Sequence, residues 1–87
     1  MTEFPKLEGT QVAILHTDAK TGDVLDAKYM PYTEAGQKLY VVFNSLDEAL
    51  THIQKQVRPL GDVEVIVYNA AKETVHYYNP LDVPGKN

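Results

Sequence analysis

The sequence predicts an α+β fold: a single mixed five-stranded sheet with the element order β-β-β-α-β-β and one helix packed on one face. Five short runs are rich in the β-branched and aromatic residues that favour strands. One longer segment, at 46–58, repeats its apolar residues with the period of a helix. The chain has 87 residues, which is the size of one domain, so residues 1–87 are expected to form a single unit.

The first two strands are predicted on either side of a turn. Residues 1–10 are expected to be irregular because a proline and a glycine interrupt them. Residues 11–17 are apolar on both faces and predict a buried strand, and the segment DAKTGD at 18–23 predicts a turn. Residues 24–32 are expected to form the second strand, with Pro31 at its end or on a sheet edge.

A strand, a helix and another strand are predicted within residues 38–68. Ser45 and Glu48 form a capping-box pattern, in which the serine oxygen accepts from the amide of Glu48 and the glutamate reaches back to the amide of Ser45. The apolar residues that follow at helical spacing are Leu46, Ala49, Leu50, Ile53 and Val57. The polar residues, His52 among them, are assigned to the other side of the helix, which Pro59 ends.

Strands four and five are predicted at 63–68 and 74–78, followed by an irregular end at 79–87. A strand, a crossing helix and a strand predict that strand four runs parallel to a member of the first three strands, with a right-handed crossover. Two strand orders compete. Order 1-2-3-4-5 is favoured because sequential strands are usually neighbours, whereas order 3-2-1-4-5 explains why strand one is apolar on both faces.

Composition excludes several classes of function. The chain has no cysteine, which excludes disulfides, thiolate catalysis and cysteine-bound zinc. The net charge is -4 and the basic residues are spread along the chain, so a nucleic-acid partner is not expected. No apolar run approaches the ~20 residues of a membrane helix, and a signal-peptide pattern is missing. We expect a soluble cytoplasmic protein without cofactor or membrane partner, with a secreted protein whose leader has been removed as the alternative.

One helix covers only one face of a sheet, yet strands one, three and four are apolar on both faces. The residues predicted on the uncovered face are Tyr40, Val42, Ile66 and Tyr68, joined by Tyr78 or Tyr77. Tyrosine is enriched at interfaces, and such a face is larger than a monomer normally exposes. The sequence therefore favours a non-enzymatic domain that acts by protein contact, as a homodimer or as a regulatory interaction module.

Catalytic or metal chemistry is the alternative. His16 and Asp18 at a strand end could form an acid–base or ligand pair, and Asp26-Ala27-Lys28 has the spacing found in metal-dependent nucleases. Both patterns are more often ordinary strand ends and mixed strand surfaces, because a site needs several convergent groups. The only serine has its role in the helix cap, and no G-x-S-x-G motif is present. The alternative function is a small-ligand-binding or metal-dependent hydrolytic domain with a site near His16, Asp18, Asp26 and Lys28.

Overall fold

The computed structural model describes residues 4–34 and 36–80, so the ends of the chain at 1–3 and 81–87 lie outside the described residues. The elements are, in chain order, β1 (Val12–Asp18), β2 (Val24–Leu25), β3 (Tyr40–Phe43), α1 (Leu46–His52), β4 (Val63–Tyr68) and β5 (Thr74–Tyr78). The helix α1 continues into a π-helical turn, Ile53–Val57, and a 3-10 turn, Arg58–Leu60. The predicted α+β class and element order are confirmed. No helix in the described part of the chain is long and apolar enough to cross a membrane.

β1 is the central strand of the sheet, which explains why it is apolar on both faces. On one side it pairs with β4, and on the other side it pairs first with β3 and then with β2. β5 extends the sheet beyond β4. The favoured order 1-2-3-4-5 is therefore wrong. β4 lies beside β1 as in the other order, but β3 also pairs with β1, because the two residues of β2 leave most of that edge free.

The strand pairs of the described residues are all antiparallel. β3 and β4 each run antiparallel to β1, so they are parallel to each other with β1 between them. The helical connection therefore passes over the central strand instead of joining two adjacent strands. The prediction of a mixed sheet is therefore wrong: the sheet of the described residues is antiparallel, and β3 and β4 share a direction without pairing with each other.

The strand predicted at 24–32 is wrong beyond its second residue, because the chain reverses there. The Asp26 carboxylate accepts hydrogen bonds from the amides of Lys28 (2.8 Å) and Met30 (3.0 Å). Tyr29 adopts a left-handed φ of 66°, and the amide of Asp26 donates to the carbonyl of Met30 at 2.7 Å. An aspartate that binds nearby backbone amides stabilises a turn in competition with a strand.

The core lies between the helix and one face of the sheet. The buried residues of the helical segment are Ala49, Ile53 and Val57, and those of the sheet are Val12, Ile14, Leu25, Val63, Val65 and Val67. Leu46 and Leu50 are half-buried and pack against this cluster. The predicted apolar stripe is confirmed. The assignment of His52 to the polar side is wrong, because its ring turns inward and packs on Phe43.

The helix begins with half of the predicted capping box. The Ser45 hydroxyl oxygen accepts from the amide of Glu48 at 3.2 Å. The Glu48 carboxylate accepts from the amide of Asn44 at 3.1 Å, one residue earlier than the predicted Ser45. The Ser45 contact supplies an acceptor to an amide that the helix itself leaves without one, and the Glu48 contact holds the residue that precedes the cap.

We expect Ser45→Ala to lower the free energy of unfolding by about 1 kcal/mol, which is the usual cost of losing a helix cap. The matched control is Ser45→Asp, which keeps an oxygen acceptor at the same position and should remain close to the wild type. Urea unfolding of the three proteins measures both effects. Equal losses in the two variants would show that the hydroxyl contact to Glu48 does not stabilise the helix.

Candidate functional site

The face of the sheet opposite the helix contains four of the predicted interface residues. Val42 and Tyr68 lie on either side of Ala13, and Tyr40 and Ile66 lie on either side of Leu15. Since side chains alternate along a strand, these residues point away from the face that carries the core. We call this surface the open face and define it by Ala13, Leu15, Tyr40, Val42, Ile66, Tyr68 and Tyr77.

Phe4 covers one end of the open face. Its ring lies edge-on to Tyr40, with centroids 5.2 Å apart, and to Tyr68, with centroids 5.8 Å apart. Edge-to-face packing is favourable for aromatic rings. The Lys72 amine lies 5.7 Å from the centre of the Phe4 ring, within range of a cation–π contact. Burial, and then the neighbouring Tyr68, raises the pKa of Tyr40.

A hydrogen-bonded polar group lies at the other end of the open face. The Glu64 carboxylate accepts from the Thr17 hydroxyl at 2.6 Å and from the Tyr77 hydroxyl. The Asn79 side-chain amide donates to the Tyr77 oxygen at 3.3 Å. Tyr77 is therefore the β5 tyrosine on this face. Tyr78 lies opposite Val65 and packs against the core, so its inclusion in the predicted interface is wrong.

Beneath the helix, His16 and His52 form a pair of imidazoles. Their Nε2 atoms are 3.4 Å apart, and the His16 side chain is completely buried. The His16 ring also lies edge-on to Tyr29, with centroids 4.9 Å apart. The Nδ1 atom of His16 has no hydrogen-bond partner in the described part of the chain. A neutral imidazole has one N–H group. If His16 donates from Nε2, its Nδ1 atom is an acceptor, so no buried donor of this ring is left without a partner.

Both histidines of this pair are held neutral. Burial, and secondly the nearby His52, lowers the pKa of His16 from 6.5 to about 4. Burial also lowers the pKa of His52. At pH 7 the pair therefore carries no charge. A completely buried imidazole with this pKa is poorly suited to general-base catalysis, which needs contact with the substrate.

The other residues of the alternative site are used in separate turns. Asp18 accepts from the amides of Lys20 (2.8 Å) and Thr21 (3.2 Å). Asp26 holds the turn that contains Lys28 and also accepts from the Gln37 side chain at 2.7 Å, which is the main reason for its lowered pKa. Within residues 4–34 and 36–80, no three His, Cys, Asp or Glu side chains converge so as to hold a metal. The structure does not bring the four residues together into one site.

A cavity of about 260 Å³ opens between the helical segment and β5, on the helix side of the sheet. The described residues that line it are Leu50, Ile53, Gln54, Arg58, His76 and Tyr78. The helical residues and the β5 residues of this lining are close only in the folded chain. Sequence reasoning therefore missed the cavity, since no local pattern joins the two segments.

Two further residues, Glu64 and His52, were missed, and both left a signal in the sequence. Glu64 is the one charged residue of the strand VEVIVY, and its position alternates with the core valines, as expected for a polar group on the open face. His52 lies beside Ile53 at the border of the apolar stripe. Phe4 was expected to pack against the edge of the domain, but its segment has no periodic pattern that would predict the contacts with Tyr40 and Tyr68.

We compared the chain with models of protein families, with curated proteins and with solved structures, and nothing matched. The candidate sites therefore stand on their own geometry. They are the open face, the buried histidine pair and the cavity beside β5. Val42 and Tyr77 of the open face are exposed, whereas His16 is completely buried.

Proposed function

We propose that this domain acts by protein contact, with the open face as the contact surface and a second copy of the chain as the partner. The observation that supports this proposal is that apolar side chains are exposed on the face of the sheet that the helix does not cover. Val42 of β3 and Tyr77 of β5 are 40% and 51% exposed, and the half-buried Ile66 and Tyr68 of β4 lie on the same face. Exposed apolar side chains on one face of a sheet are typical of an interaction site.

The geometry of this face favours a flat and self-complementary partner. Two sheets can pack face to face with their side chains interdigitated, and a two-fold axis would cover the same patch in both copies. The charged group on the face, Glu64, already accepts two hydrogen bonds within its own chain. These two hydrogen bonds offset part of the cost of removing the carboxylate from water on face-to-face packing, although its charge has no ion partner among them.

We expect the wild type to sediment as a dimer at tens of micromolar, and Tyr40→Glu and Ile66→Glu to sediment as monomers. Each substitution places an unpaired charge at the centre of the contact. Loss of a central interface side chain typically costs about 2 kcal/mol or more, which weakens association roughly 30-fold. The measurement is analytical ultracentrifugation over a range of concentrations, with circular dichroism to show that each variant is folded.

The matched control is Gln56→Glu, which adds the same charge at an exposed helical position away from the open face. It should sediment as the wild type does. A wild type that stays monomeric at tens of micromolar would overturn the dimer proposal. So would a dimer that Gln56→Glu weakens as much as Ile66→Glu, because the effect would then come from net charge and not from this face.

A further inference from the structure

We propose that the cavity beside β5 binds a small organic carboxylate with a compact apolar body. The cavity lies on the helix side of the sheet, so this site is independent of the contact through the open face. Leu50 and Ile53 supply its apolar wall, and Ile53 is almost completely buried. A concave apolar surface with a few polar groups at its margin is the usual form of a small-molecule site.

The described residues leave the polar side chains around the cavity without partners. The structure shows no hydrogen bond or ion pair from the side chains of Arg58, His76 or Tyr78 to any described part of the chain. Gln54 adds a fourth polar side chain to the lining. These groups come from the end of the helical segment and from the edge strand of the sheet, so they face a common space from two sides.

Charge selects the class of ligand. Arg58 is the one permanently charged residue among the described residues that line the cavity, and no carboxylate is among them. This local cation stands out in a chain whose net charge is -4. A guanidinium presents two parallel N–H donors that match a carboxylate, and Tyr78 can donate one more hydrogen bond. An anion is therefore preferred here over a cation or a neutral molecule of the same shape.

Volume limits the size of the ligand. At about 260 Å³ the cavity lies below the range of roughly 300–1,000 Å³ that is usual for drug-sized molecules. A ligand of about ten non-hydrogen atoms, the carboxylate that reaches Arg58 included, can occupy it. Ligands of that size bind with dissociation constants of about 1–10 mM or tighter.

The probe for this site is phenylacetate, titrated into the full chain labelled with nitrogen-15 up to about 10 mM and followed by NMR. We expect saturable shifts of the amides around His76 and Tyr78. Phenylacetamide has the same shape without the charge and should bind at least tenfold more weakly, because hydrogen bonds between charged partners are much the stronger ones. The comparison therefore measures the contribution of the carboxylate itself.

The variants are Arg58→Gln and its matched control Lys55→Gln. Both remove one positive charge from an exposed position of the same helical segment, but Lys55 does not line this cavity. We expect Arg58→Gln to weaken phenylacetate binding about tenfold or more and Lys55→Gln to change it less than twofold. Absence of saturable shifts, equal binding of the amide, or equal effects of the two variants would each overturn the proposal.

Discussion

Acidification from pH 7.5 to pH 5 is expected to lower the free energy of unfolding by about 2 kcal/mol through His16 alone. The pKa of His16 is about 4 in the folded protein and 6.5 when the side chain is exposed by unfolding. As the pH falls below 6.5 the unfolded chain takes up a proton that the folded chain refuses, so the unfolded state is favoured. The loss grows until the folded protein also binds the proton, and amounts to about 3 kcal/mol below pH 4.

This loss is large for a domain of 87 residues, since such domains are stable by roughly 5–15 kcal/mol in total. The lowered pKa of His52 acts in the same direction. The histidines and Asp26 affect stability in different pH ranges. The lowered pKa of Asp26 stabilises the fold above the usual aspartate pKa of 3.8, and this contribution is lost only at lower pH.

Urea unfolding between pH 5 and pH 7.5 measures the effect, and His16→Leu provides the comparison. Leucine has a similar volume and no proton to bind, so the variant should show a flatter dependence of stability on pH. A wild type whose unfolding midpoint is the same at both ends of this range would contradict the prediction. An unchanged slope in His16→Leu would assign the acid sensitivity to other groups.

The second large effect is expected for Ile53→Ala, which should lower the free energy of unfolding by about 2–4 kcal/mol. Ile53 is 4% exposed and packs in the core cluster between the helix and β4. Its truncation removes buried apolar surface and leaves a cavity, and the two costs add. Leu50→Ala should lose roughly half as much, because Leu50 is only half-buried and less of its surface leaves water on folding.

Leu60→Ala is the matched control for the two core variants, since Leu60 is 46% exposed at the end of the same helical segment. Its change should stay within about 0.5 kcal/mol, as is usual for surface positions. Denaturant unfolding of the three variants at pH 7.5 gives the order of their free energies of unfolding. An Ile53→Ala variant as stable as Leu60→Ala would mean that the helical segment does not pack on the sheet through this residue.

The open face shows which part of the candidate site the sequence pattern predicts. Alternation along β3 and β4 placed Tyr40, Val42, Ile66 and Tyr68 on one side of the sheet, and the structure has them there. The error at Tyr78 arose because the sequence left the register of β5 against β4 undetermined. A shift of one residue moves every side chain of a strand to the opposite face, so Tyr77 and Tyr78 were equivalent until the pairing was known.

The contact between the two histidines could not be predicted from the sequence. His16 and His52 are separated by 36 positions in the chain, and each by itself looks ordinary. Their contact depends on how the helix is rotated over β1, which is decided by the packing of Ala49, Ile53 and Val57 on the sheet. The lowered pKa values are a consequence of that packing, because they come from burial and from proximity.

The sequence by itself determined the class of the fold, the order of its elements and the apolar stripe of the helix. These features depend on the identity and spacing of neighbouring residues, which act within a few positions of each other. Tertiary structure alone decided that β1 is central, that β3 and β2 share one of its edges, and that a cavity opens beside β5. These arrangements come from competition among contacts that are distant in the chain. The apolar surface of β1 is buried best when strands lie on both of its sides, and no local pattern states which strands those are.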